Sequence, residues 1–131
     1  MTLGRILGTL PSTCGHVADY FLERDCFVDA RDLGTLIISA ESMFGWGVKI
    51  ITESHDINDG NLTLIGKTVI VEKKAWICSF VILYNCTIGE GAIVSIGSVV
   101  ANQTVEPYTI VSGNPARLVA RKIDGKWRRV D

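Results

Sequence analysis

A large aliphatic side chain returns every six residues through the middle of this chain. Ile65-Gly66-Lys67-Thr68-Val69-Ile70 sets the pattern, with the aliphatic residue first, a small or acidic residue second and a small or β-branched residue fifth. Val71 to Trp76 and Ile77 to Ile82 follow without a gap, and Ile88 to Ile93, Val94 to Val99 and Val100 to Val105 keep the same order. Upstream, Ile38, Phe44 and Ile50 again stand six apart, with Gly45 second and Ser42 and Val48 fifth. An amphipathic helix would space apolar groups by three and four, and an alternating strand by two, so neither explains the period. A coil of short strands and tight turns does. The first residue of each unit points into a narrow interior, and stacking buries what a single turn of the coil cannot bury alone.

The interruptions are as informative as the repeat. Leu83-Tyr84-Asn85-Cys86-Thr87 is one residue short, which predicts a tightened corner. Between Ile50 and Ile65 the phase stops, and the polar, turn-rich run from Ile51 to Asn61 predicts a loop projecting near residues 52–63. That loop carries His55, one of two histidines; the other, His16, precedes the repeat. An imidazole there has the near-neutral pKa that a general base needs, although an exposed loop histidine can equally be only solvated. Past the repeat, Gly113 and Asn114 suit a turn and Pro115 a first helical position. Ala116 to Arg121 therefore reads as a short helix near 115–122, with Arg117 and Arg121 on one face. Asp124-Gly125 marks another turn, before the basic aromatic cluster Lys126-Trp127-Arg128-Arg129.

Composition removes several function classes. The 131 residues suit one domain, and 13 Lys plus Arg against 14 Asp plus Glu leave no field to attract nucleic acid or an anionic membrane. Two uncharged stretches, Ala75 to Gly89 and Gly91 to Val105, are each shorter than the roughly 20 residues of a spanning helix, so no membrane span is expected. Their β-branched residues and glycines suit buried strands. The N-terminal apolar pieces are broken by Gly4, Gly8 and Pro11 and form no secretion signal, which makes a cytoplasmic protein the expectation. Cys14, Cys26, Cys78 and Cys86 show no C-x-x-C spacing and read as free thiols rather than metal ligands or disulfides.

Together the hexads, the loop tripeptide Ser54-His55-Asp56 and the closing Ser112-Gly113-Asn114-Pro115-Ala116-Arg117 resemble the hexapeptide-repeat acyltransferases, over about residues 36 to 122. The likeness is nearest to the branch that O-acetylates sugars: enzymes of surface-polysaccharide synthesis and maltose, galactoside and nodulation acetyltransferases. It implies an all-β fold, a single-stranded left-handed parallel β-helix shaped as a triangular prism, with a divergent N-terminal part about 1–35, coils about 36–110 and a helix and tail over 112–131. It further implies a homotrimer with sites between subunits, acetyl-CoA as co-substrate with no metal, and a sugar or saccharide precursor as acceptor. By resemblance His55 is the general base, and Asp56, Glu53 or a main-chain carbonyl holds its other ring nitrogen. Trp76, Ser79, Gly97 and Ala101 would line the acetyl-CoA groove. There Ser79 offers a main-chain N–H to the developing oxyanion, and Trp76 serves as a ligand or subunit contact. Arg117 and Arg121 would meet the coenzyme phosphates.

Some positions depart from the family. Ala101-Asn102 stands where Thr-Lys is common, Cys78 and Ser95 replace small glycines, and the first 35 residues match poorly. Three rivals remain beside O-acetylation: an N-acetyltransferase on an amino-sugar nucleotide, a non-catalytic β-helix that only mediates assembly, and a γ-carbonic anhydrase on the same scaffold. The last needs three histidines at a subunit boundary, and the chain has two in all.

Overall fold

Side chains two apart on a strand point to the same side, so the fifth residue of one hexad and the first of the next share a face. That face is the interior. The computed structural model describes residues 5–8, 27–29, 33–39 and 41–130, and His16, Cys14 and Cys26 lie outside them. The pairs Val69 and Val71, Ala75 and Ile77, Val81 and Leu83, Ala92 and Val94, and Ser98 and Val100 all have 0% exposure. Each pair sets a large aliphatic group beside a smaller or equal one, and stacked pairs form a continuous hydrophobic core.

Among the described residues there are fifteen strands and no helix. They are β1 (Arg5–Gly8), β2 (Phe27–Asp29), β3 (Thr35–Ile38), β4 (Met43–Phe44) and β5 (Lys49–Ile51), then β6 (Glu53–His55), β7 (Leu64–Gly66), β8 (Thr68–Val71) and β9 (Trp76–Ile77). The series ends with β10 (Ile82–Ile88), β11 (Ile93–Val94), β12 (Val99–Val105), β13 (Thr109–Ser112), β14 (Arg117–Ile123) and β15 (Lys126–Arg129). Parallel ladders make three walls. The first wall stacks β1, β3, β8 and the second halves of β10 and β12. The second stacks β4, β9, β11 and β13. The third stacks β2, β5 and the first halves of β10 and β12.

Strands β10 and β12 turn from the third wall to the first through one residue each, Asn85 and Asn102, 17 positions apart. Both lie in the left-handed region, at φ 45 and 55, which asparagine tolerates better than most residues. Asn85 Nδ2 donates to Asn102 Oδ1 at 2.8 Å, so the corner forms a small ladder of its own. This explains the short Leu83 unit and corrects the unit stacked on it one coil later. Val105 is in register with Ile88, so the run from Val100 is also one residue short, and Val105 opens the next unit. Its β-branched side chain satisfies the sequence pattern in either place.

The interruption is longer than the expected 52–63. Strands β6 and β7 form an antiparallel hairpin in which Ile65 pairs with Ser54, so Ile65 belongs to the loop and opens no hexad. Lys67 N–H donates to Thr52 O at 2.7 Å and pinches the loop at its root, and the prism resumes at Thr68.

The helix expected near 115–122 is a strand. β14 runs antiparallel to β13, with Arg117 opposite Ser112 and Arg121 opposite Thr109, and Asp124-Gly125 turns the chain back into antiparallel β15. Two causes act together. The outer edge of β13 offers unpaired backbone groups, and within β14 only Ala120 is buried, so no apolar stripe exists on which a helix could pack. Across the hairpin, the Lys122 ammonium sits 5.6 Å from the Trp127 ring centroid, a cation–π contact.

The corner between walls two and three shows how side chains seal a coil. Gly47, at φ 64, lies under the Phe80 ring, and a Cβ there would come within 2.6 Å of that ring. The central core makes a direct prediction. Leu83→Ala removes a side chain with 0% exposure and should lower unfolding free energy by about 2–5 kcal/mol in urea denaturation. An unchanged midpoint would contradict the stacked interior.

Candidate active site

The hairpin carries its own hydrogen-bond framework. Asp56 N–H donates to Thr63 O at 2.8 Å, closing the loop beyond the strands. Asp59 then organises the tip: its Oδ1 accepts Asn61 N–H at 3.0 Å, its Oδ2 accepts the Thr63 hydroxyl, and its main-chain O accepts Leu62 N–H at 2.9 Å. Leu62 is held at φ 49.

His55 is exposed on β6, and its Nδ1 lies 2.7 Å from Leu62 O. A carbonyl oxygen can only accept, so Nδ1 carries the proton and the neutral ring presents Nε2 with a free lone pair. Among the three groups that could hold the ring, the main-chain carbonyl is in place. Asp56 Oδ1 instead accepts Asn58 N–H at 2.9 Å within the loop, and Glu53 Oε2 accepts Leu33 N–H at 3.3 Å. The sequence carries no side-chain signal for Leu62, because its contribution is a backbone oxygen. Asp59-Gly60-Asn61 was visible only as a turn.

Trp76 lies on the second wall in register with Met43 and Ile93, and it is half-exposed. Ser79 occupies the corner between walls two and three. Its Oγ accepts Trp46 N–H at 3.0 Å and its O accepts Gly97 N–H at 2.9 Å, while its own main-chain N–H donates to no described residue. Gly45 allows this packing, since a Cβ there would lie 2.5 Å from Ser79 N. Gly97 stands exposed at the same corner one coil on, where nothing would meet an added Cβ within 4 Å. Trp46, Phe80 and Ile96 are also exposed along this edge. Ala101 ends the third-wall half of β12, opposite Tyr84.

The structure therefore brings Ser79 and Gly97 together on one prism edge. It does not bring His55 to them. The hairpin leaves between β5 and β8, at the edge joining walls three and one, where Asn85 and Asn102 turn.

Arg117 and Arg121 both line a cavity of about 230 Å³, together with Gln103, Glu106 and Thr109 of the last coil. In a strand, four residues span about 13 Å rather than the roughly 6 Å of a helix face, so they are not the close pair that a helix would give. Arg121 Nη1 contacts Glu106 Oε2 at 3.2 Å, and Arg117 Nη1 donates to Ala116 O at 3.0 Å. Gln103 Nε2 is buried beside them and unpartnered among the described residues.

No family model matches the chain. Among solved structures it is similar to the hexapeptide-repeat-containing acetyltransferase VCA0836 of Vibrio cholerae O1 biovar eltor, in complex with acetyl coenzyme A. Identity is 25% at a TM-score of 0.63, covering 91% of this chain and 66% of that one. It is also similar to a maltose O-acetyltransferase from Clostridium difficile 630, 26% identical at a TM-score of 0.58, covering 88% and 62%. A chloramphenicol acetyltransferase of Agrobacterium fabrum is 36% identical over 62 residues, or 47% of this chain and 27% of that protein. The chain spans about half the length, or less, of the curated relatives it matches.

The two described cysteines are poor nucleophiles. Burial pushes the Cys86 thiol up to about 12 and also raises Cys78. Because the thiolate is the nucleophile, Cys86 should stay unmodified by iodoacetamide at pH 8 in the folded protein and react after denaturation, read by peptide mass. Alkylation of native Cys86 at the rate of a free thiol would refute its burial.

Proposed function

From its similarity in sequence and fold to hexapeptide-repeat acetyltransferases, we propose that the chain transfers an acetyl group from acetyl-CoA to a hydroxyl of a sugar or saccharide precursor. One observation carries the reading: Leu62 O holds the Nδ1 proton of His55 and leaves Nε2 free to accept another. His55 Nε2 removes the acceptor's hydroxyl proton as the oxygen attacks the thioester carbonyl, and the protonated imidazole returns it to the departing coenzyme thiolate. The Ser79 N–H, unpaired among the described residues, answers the negative charge that develops on the carbonyl oxygen, a contribution of about 3 kcal/mol when well aimed. Asp56 supports the base at one remove by shaping its loop.

Trp76, Gly97 and Ala101 offer an extended, partly open path for the pantetheine arm. Asn102 is a corner residue, so the phosphates fall to Arg117 and to the basic strand β15, with Arg121 tied to Glu106. The maltose O-acetyltransferase favours an oxygen acceptor and a sugar. The free thiols of the described Cys78 and Cys86 suit the reducing cytoplasm.

Separation of His55 and Ser79 on different prism edges supports a homotrimer, in which three-fold packing sets one subunit's hairpin against the neighbour's groove.

Two experiments test this. Incubation with acetyl-CoA and a panel of hydroxyl and amino sugars, read by thiol release, should show turnover that His55→Ala lowers by about 10²- to 10⁴-fold with coenzyme affinity retained. Equal turnover by the variant would remove the mechanism. Co-expressing His55→Ala with a groove-blocked Gly97→Trp chain should restore activity that neither variant has alone. Failure to complement between stable, mixed assemblies would exclude a site shared between subunits.

A further inference from the structure

The base sits on a hairpin strand with no core behind it, yet its orienting partner must stay in place through each turnover. Residues 60–64 are all exposed, so packing does not hold them. Leu62 nevertheless occupies the left-handed region, which a leucine visits reluctantly, and this conformation belongs to the arrangement in which its carbonyl meets His55 Nδ1.

We propose that Asp59 is a positioning residue for His55: it staples the 59–63 turn through three acceptor oxygens and so fixes the Leu62 carbonyl that selects the imidazole tautomer. The three contacts converge on both sides of that carbonyl. Asp59 O takes the Leu62 N–H, Asp59 Oδ1 takes the Asn61 N–H just before it, and Asp59 Oδ2 takes the Thr63 hydroxyl just after it. The Thr63 hydroxyl and then the Asn61 N–H hold the Asp59 carboxyl below the usual carboxylate range, so it is charged and fully accepting at neutral pH.

The consequence runs through proton placement. A neutral histidine released from its partner in water favours the tautomer protonated on Nε2, which has no lone pair at the nitrogen facing the acceptor. Losing the staple therefore reduces the fraction of enzyme able to take a proton, and leaves the coenzyme groove on another edge of the prism untouched. The catalytic part of this inference rests on the reading of His55 as general base; the positioning part does not.

The test uses the whole 131-residue chain labelled with ¹⁵N at histidine, His16 being assigned by substitution. In the wild type, above the pH at which His55 deprotonates, ring nitrogen shifts should report a proton on Nδ1. Asp59→Ala should redistribute it toward Nε2 and lower kcat by about 10- to 100-fold, the scale seen for partners that orient a functional histidine, with KM for acetyl-CoA unchanged. Thr63→Val, which removes only the hydroxyl, should move both readouts in the same direction by less, and it carries the test if Asp59→Ala melts early. A wild-type tautomer in both variants overturns the proposal. A tautomer redistributed in Asp59→Ala, with full activity there and also in His55→Ala, retires the general-base reading while the positioning of the imidazole stands.

Discussion

Three walls of this prism face one another across an interior only a few side chains wide, and that narrowness governs the rest of the molecule. Large groups fill the middle of each coil, while small or β-branched ones such as Ala75, Ala92 and Ser98 sit where walls approach a corner. Because coils stack in register, a corner tightened in one coil is matched by the coil stacked on it. The shortened corner obeys this: Asn85 and Asn102 stand 17 positions apart, and each takes the same left-handed conformation. A departure from the six-residue period is thus stacked, and stacking makes it structural.

The hairpin follows from the same constraint. An insertion can leave a coil only if both ends return to adjacent register positions, and the Lys67 to Thr52 hydrogen bond makes that closure. Beyond the root the loop has no inner wall to pack on. Its order comes from main-chain and short polar side-chain hydrogen bonds, which suits a segment that leaves an imidazole exposed to solvent rather than burying it. The exposed imidazole of His55 on one edge and the Ser79 N–H on another, unpaired among the described residues, are separated by a wall of the prism.

Much of this was legible from residue order because the interior is periodic. Ile77, Leu83, Ile88 and Val94 are buried where the hexads put them, and the loop after Ile51 emerges where the period stops. What was not legible shares a physical cause. Val105 fits two places in a permissive pattern, so the second short unit was hidden. Ile65 alternates as an aliphatic strand residue whether it faces a core or a hairpin partner. The Leu62 carbonyl has no side-chain signature at all. The helix expectation over 115–122 used local propensity alone, and the open edge of β13, a tertiary feature, decided for a strand.

That terminal hairpin has a further meaning. A parallel β-helix has no natural end: the top coil offers the same hydrogen-bonding edge as every coil beneath it, and in principle another chain could dock there and continue the stack into a fibre. Reversal of strand direction at β14 breaks the template, and the last strand exposes Lys126, Arg128 and Arg129 at the growing face. A second copy adding to β15 would bring like charges together, which disfavours continuation of that one wall.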